Sequence, residues 1–151
     1  MAFRSFMDLA LEEARAAGIR GEVPVGAVVV APSGEVVARA GNRTRELADP
    51  SAHAEVLAIR AACAARGSER LPGHSLWVTL EPCPMCAALI GFARVATLYV
   101  GALDPKSGGV LHGPRVYAHP QAHHAPAVVE GIGAEESARL LRGFFASLRE
   151  S

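Results

Sequence analysis

Net charge is the first thing this sequence lacks. Fifteen basic and fifteen acidic side chains cancel to a formal charge of zero. A strongly basic domain would announce a nucleic-acid binder by composition alone, so any such contact here must come from a local patch. Lysine is nearly missing as well: Lys106 is the only one, and the remaining basic residues are arginines, which suit phosphate forks and base stacking. Cysteine is scarce and odd in number. The three, Cys63, Cys83 and Cys86, cannot pair off evenly, and the last two sit too close together for a disulfide framework. No apolar run reaches the ~18 residues that a membrane helix needs. The polar, amphipathic start of the chain has no apolar signal-peptide core. These absences lead us to expect a soluble protein of a reducing, cytoplasmic compartment with no membrane partner.

What is present fits one domain spanning residues 1–151, half of them apolar and able to bury a sizeable core. Residues 5–17 read as a helix, with Ser5 as N-cap and Gly18 as the stop. Val25 to Val30 is a β-branched run and reads as a buried strand; Pro32-Ser33-Gly34 turns it back into Val36 to Ala40. Asp49-Pro50-Ser51 is expected to open a long helix to Arg66, closed by Gly67. Ser75 to Leu80 is expected as a strand, Pro82 to Ala93 as a helix and Thr97 to Val100 as a strand. Residues 101–126, rich in Gly, Pro and His, read as a long loop, and a loop of that length in a compact domain is more often functional than idle. A short strand at Ala127 to Val129 and an amphipathic helix from Ala134 to Leu148 close the chain. Strands alternating with helices make the class α/β, in three layers.

Two clusters carry the chemistry: His53-Ala54-Glu55 and, 30 positions on, Pro82-Cys83-Pro84-Met85-Cys86. Each falls at the start of an expected helix. Two cysteines three apart at a helix N-terminus aim their sulfurs at one spot, where the dipole and free N–H groups favour thiolate. Two thiolates and an imidazole give zinc three protein ligands and one open position, which marks a catalytic site rather than a structural one. Glu55, two residues past His53 in the same turn, can reach a water there and move its proton. The spacing of the two clusters matches a known zinc-deaminase signature. Blander readings stand beside it. His112, His119, His123 or His124 could close the site with a fourth ligand. Cys63 reads as a small core residue, Trp77 as core and the Met85 sulfur as packing.

At these residues the chain resembles the cytidine and nucleoside deaminase superfamily, and within it the bacterial tRNA-specific adenosine deaminases. The resemblance runs from about Phe6 to Phe145. It is carried by Glu22-Val23-Pro24-Val25-Gly26-Ala27-Val28-Val29, Gly41-Asn42-Arg43 and Asp49-Pro50-Ser51-Ala52-His53-Ala54-Glu55. It continues through Thr79-Leu80-Glu81-Pro82-Cys83-Pro84-Met85-Cys86 and Gly101-Ala102-Leu103-Asp104-Pro105-Lys106-Ser107-Gly108-Gly109, the last of which separates tRNA enzymes from free-base deaminases.

The resemblance implies a three-layer α/β/α fold of cytidine-deaminase type with a five-stranded mixed sheet. It also implies one zinc per subunit, a homodimer, and conversion of adenosine to inosine at the first anticodon position of a tRNA. Asn42 would bond the purine edge, the Ala54 backbone would sit beside the attacked carbon, and Val25 would line the base pocket. Asp104 would approach the target ribose and Lys106 the nucleic-acid backbone, with Arg43, Arg45 and Arg115 adding local positive charge. Read from the residues alone, Asn42 is equally a turn residue, and Asp104 with Lys106 a solvated loop pair. Two further functions stay open: deamination of a free base or nucleoside (guanine, cytosine, cytidine or adenosine), and a non-catalytic partner or structural zinc module. The face around Leu89, Ile90 and Phe92 is a candidate contact surface between subunits, and core packing explains it equally well.

Overall fold

The structure is a computed structural model that describes residues 3–150. Among these, four α-helices flank a five-stranded mixed sheet. The order along the chain is α1 (Met7–Ile19), β1 (Gly26–Val30), β2 (Val36–Gly41), α2 (Ala54–Arg66), β3 (Ser75–Leu80), α3 (Pro84–Phe92), β4 (Thr97–Ala102), β5 (Ala127–Val129) and α4 (Ala134–Glu150). Across the sheet the order is β2-β1-β3-β4-β5. β1 runs antiparallel to both β2 and β3, whereas β3, β4 and β5 run parallel.

The two faces of the sheet follow from the two-residue period of a strand. Val28, Val30 and Trp77 point to the side covered by Phe6, Met7, Ala10 and Leu11 of α1 and its approach. Ala27, Val29, Leu76 and Val78 point to the opposite side, against Ala54, Ala58 and Ile59 of α2 and Ala87 and Ile90 of α3. Every residue of β1 is buried, as a central strand covered on both faces requires. No helix among the described residues is long and apolar enough to cross a membrane.

Helix starts and stops depart from the sequence expectations. α1 begins at Met7, and its N-cap Phe6 makes no side-chain cap bond. The Ser5 hydroxyl accepts instead from the Met7 N–H at 3.2 Å, a short local turn. α1 also runs through Gly18 to Ile19, and the left-handed backbone falls at Gly21 (φ 88°). α2 does not start at Asp49. The Asp49 carboxylate accepts from the Ser51 N–H (2.9 Å) and hydroxyl (2.7 Å), so this segment is a turn and the helix waits until Ala54. Its end is as expected, at Gly67 in the left-handed region (φ 74°).

α3 starts at Pro84, not Pro82. The residue before a proline is pushed out of the helical region, which leaves Cys83 extended (φ −68°, ψ 171°) as the N-cap. β1 begins one residue after Val25, and β4 runs on to Ala102. Met85 is 42% exposed, so its sulfur is not core packing. Ile90 is fully buried and faces the sheet, whereas Phe92 is 73% exposed; the outer face of α3 is therefore not shared by the two.

The topology gathers one edge. β3 and β4 are parallel, so the loops leaving both emerge together. Antiparallel pairing of Gly26 with Gly41 brings the entry to β1 and the exit of β2 to the same edge, and the Gly26 N–H bonds the Thr79 hydroxyl there at 3.1 Å. Val25, Asn42, the start of α2, the start of α3 and the Asp104 loop therefore converge, although they are spread over 80 residues of sequence.

Candidate metal centre and active site

His53 and Cys83 are the N-caps of α2 and α3, and neither side chain caps its own helix. Both are free to face each other across the gap between the two helix starts. The His53 Nδ1 lies 3.7 Å from the Cys83 Sγ and 3.4 Å from the Cys86 Sγ. Among the described residues this is the group of His, Cys, Asp and Glu placed to hold a metal ion. Zinc bonds of about 2.3 Å to sulfur and about 2.0–2.1 Å to nitrogen give a tetrahedron whose nitrogen–sulfur edges span about 3.6 Å. The observed separations match that edge, and the soft, mixed donor set suits zinc. His112, a possible fourth ligand, is engaged elsewhere, so the group stays at three.

The electrostatics agree. On protein groups alone the two cysteines share a proton. The hydrogen bond from Cys86 brings the Cys83 thiol down to about 4 against the opposing effect of burial, and His53 adds to the fall. Cys86 is pushed far up by its Cys83 neighbour and by burial. His53 is raised by its bond to Cys83. A group poised to hold one anion and one proton is ready to exchange that proton for a cation.

Glu55 stands in the first turn of α2 and is only 4% exposed. Burial raises its carboxyl to about 7, with the nearby Cys83 charge adding to the rise and His53 opposing it. A carboxyl that takes and gives protons near neutral pH is what proton transfer requires.

Asn42 follows β2 directly. Its Oδ1 accepts the backbone N–H of Ala54, the first residue of α2, at 2.7 Å. That N–H can only donate, so the oxygen end of the amide is identified and the NH₂ end points elsewhere. The Asn42 N–H in turn donates to the Val25 carbonyl at 3.2 Å. Asn42, Ala54 and Val25 are thus one linked unit beside the ligand group.

Asp104 and Lys106 lie in the loop leaving β4. The Asp104 carboxylate accepts from the Lys106 N–H (3.2 Å) and the Ser107 N–H (3.0 Å), and Lys106 is exposed. These residues line a groove of about 1040 Å³ with Leu103, Arg142, Phe145 and Arg149. The Asp104 carboxylate thus bonds within its own loop rather than to Asn42.

Three polar residues shape the site without any warning in the sequence pattern. Glu22 and Glu81, each 2% exposed, are buried carboxylates on either side of the edge. Glu22 accepts from the N–H groups of Arg45 (3.1 Å) and Glu46 (2.9 Å) and from the Thr44 hydroxyl (3.4 Å), fixing the segment that leads to His53. Burial raises its carboxyl, but these donors and the Arg20 charge outweigh burial and hold it below the ordinary range. Glu81 is treated likewise: burial is overcome by the Asp104 N–H, the His112 ring and further N–H donors. Tyr117 donates its hydroxyl to the Ala87 carbonyl at 2.7 Å, bracing α3 one residue past Cys86. A carboxylate or phenol whose hydrogen-bond partners lie 22 to 31 residues away leaves no periodic signal to read.

Residues 2–102 match the family described as the cytidine and deoxycytidylate deaminase zinc-binding region. The tRNA-specific adenosine deaminase of Agrobacterium fabrum is 60% identical over 95% of this chain and 94% of its own length. The tRNA-specific adenosine deaminase of Aquifex aeolicus is 42% identical over 97% of this chain and 95% of its own. A solved structure from work on A-to-I editing by tRNA:A34 deaminases at the wobble position of transfer RNA superposes with a TM-score of 0.88. It is 60% identical and covers 90% of this chain and 98% of that one. The chain belongs to the zinc-binding cytidine and deoxycytidylate deaminase family, in its tRNA-specific adenosine deaminase branch.

Proposed function

We propose that this protein hydrolyses adenosine to inosine at the first anticodon (wobble) position of a tRNA, releasing ammonia, as a single-domain cytoplasmic enzyme. The observation that carries the reading is the triangle of His53, Cys83 and Cys86 with buried Glu55 in the adjoining helical turn. A zinc ion held by the three ligands supplies a Lewis acid that makes water a nucleophile near neutral pH.

The remaining steps belong to the chain's own groups. Glu55 accepts a proton from the attacking water and passes it to the purine ring nitrogen. It then delivers the second water proton to the exocyclic amine, which leaves as ammonia. Asn42 has its oxygen occupied by Ala54, so it offers the purine edge its NH₂ donors. Val25 and the Ala54 backbone line the pocket beside the attacked carbon. Asp104 meets the target ribose and Lys106 the phosphate backbone. A base in an anticodon loop is unpaired and cheap to flip out into an enzyme site. Two copies associate through the outer face of α3, where Phe92 stands 73% exposed beside an apolar groove of about 380 Å³.

The test is to incubate zinc-loaded protein with an anticodon stem-loop carrying adenosine at its first anticodon position, and separately with guanine, cytosine, cytidine and adenosine. Inosine in the stem-loop without ammonia from the free compounds is expected. Ammonia from a free compound with an untouched stem-loop contradicts the proposal.

A further inference from the structure

Glu81 follows the apolar run of β3 and stands two residues before Cys83. Its side chain is completely buried. A carboxylate withdrawn from water persists only if its lone pairs are filled. Here five donors fill them. Oε1 accepts from the Asp104 N–H (3.0 Å) and the His112 ring Nδ1 (2.7 Å). Oε2 accepts from the N–H groups of Val110 (3.2 Å), Leu111 (2.9 Å) and His112 (3.1 Å). All five belong to the loop from Asp104 to His112.

The approach is close throughout. A side chain at Gly108 would collide with the Glu81 carboxylate. The Gly109 N–H donates to the Pro82 carbonyl at 2.8 Å, tying the same loop to the peptide that enters α3. No residue of the ligand group takes part in these bonds.

We infer that Glu81 is a positioning residue whose carboxylate holds the Asp104–His112 loop in register with the helix bearing Cys83 and Cys86. The inference rests on the proposed tRNA reaction. The metal residues and the loop that meets the nucleic acid arrive on different strands, and this one carboxylate sets their spacing. Its loss loosens the loop and weakens substrate capture, while the metal and the proton transfer stay in place.

The test uses Glu81→Gln in the zinc-loaded protein. The amide keeps the volume but has one accepting atom, so its NH₂ end faces donors. Zinc content and kcat on the stem-loop are expected to stay within about threefold of wild type, while KM rises about tenfold or more. Hydrogen exchange gives an independent readout: the amides of residues 104, 110, 111 and 112 should exchange faster, with α2 and α3 unchanged. If the variant does not fold, His112→Ala removes one of the five donors from a half-exposed position. It should raise KM about threefold at unchanged kcat and zinc content. KM within about twofold of wild type in the folded variants, or unchanged amide exchange, overturns the inference. So does loss of zinc and kcat together, which would make Glu81 a support of the metal site. If wild type leaves the stem-loop untouched, the proposed reaction has failed, and amide exchange alone then decides the role of Glu81.

Discussion

The Asn42 side-chain oxygen accepts the N–H of Ala54 at 2.7 Å, so a residue at the end of β2 caps the helix that carries Glu55. One amide is given two jobs: its oxygen secures the start of α2, and in the proposed reaction its nitrogen donates to the purine edge. His53, the N-cap by position, is thereby released to face the cysteines.

Those two jobs can be separated. Asn42→Asp keeps a good capping acceptor at a helix N-terminus and removes the NH₂ donors. Its stability should stay within about 0.5 kcal/mol of wild type, while kcat/KM on the stem-loop falls about tenfold or more. Asn42→Ala should lose both, with a stability cost of about 1 kcal/mol. Urea unfolding beside initial-rate kinetics reads the two effects; full activity in Asn42→Asp would remove Asn42 from the purine edge.

Cys86→Ala should abolish stoichiometric zinc. Cys86 is fully buried in the first turn of α3, and its sulfur is one of only three candidate ligand atoms in the group, so its loss leaves two. Elemental analysis of the purified variant gives the answer, and full zinc occupancy would show that the ligand set is misassigned.

Glu22 should make stability depend on acid. Its folded pKa lies below the ordinary 4.5, held there by Thr44, Arg45, Glu46 and Arg20 against burial. The sign follows from linkage: a lowered carboxylate contributes stability that is complete above the unfolded pKa and is lost as pH falls through the folded one. The charges around it are Arg20, Arg45 and the Arg43–Glu46 ion pair (2.6 Å). Glu22→Gln should therefore be less stable than wild type at pH 7, and the gap should close steadily below about pH 4.5. Urea midpoints for both proteins across that range test it; a gap that stays constant would mean that the carboxylate's charge is not what holds the loop.

Phe92 should mark the subunit contact. A phenylalanine 73% exposed at the end of α3 is costly to leave in water. Sedimentation should find two chains of 15.7 kDa together, and Phe92→Glu should yield single chains. A wild type that sediments as one chain, or a variant that still pairs, moves the contact elsewhere.

Much of the fold is legible in the sequence, for reasons that vary by residue. β3 and β5 fall where the sequence places them, at Ser75–Leu80 and Ala127–Val129, because a short apolar stretch between turn-forming residues is a local signal. The ligand triangle is legible because helix starts orient their first residues in a fixed way, so the spacing of His53, Cys83 and Cys86 encodes geometry directly. Helix beginnings are not. Asp49 and Ser51 resemble a cap but bond each other, and the true cap of α2 comes from Asn42, twelve residues upstream of Ala54. Gly18 reads as a stop, yet α1 tolerates it and the chain turns at Gly21. Glu22, Glu81 and Tyr117 are invisible in their roles because each is defined by partners that only the fold brings near.

The central claim is that Glu55 moves the protons of a zinc-dependent deamination. Its most direct test is Glu55→Ala, with zinc content and inosine formation in the anticodon stem-loop measured on the same preparation. The expected result is full zinc occupancy with the single-turnover rate reduced about 100-fold or more. Full zinc occupancy with inosine formed within about tenfold of the wild-type rate would contradict it.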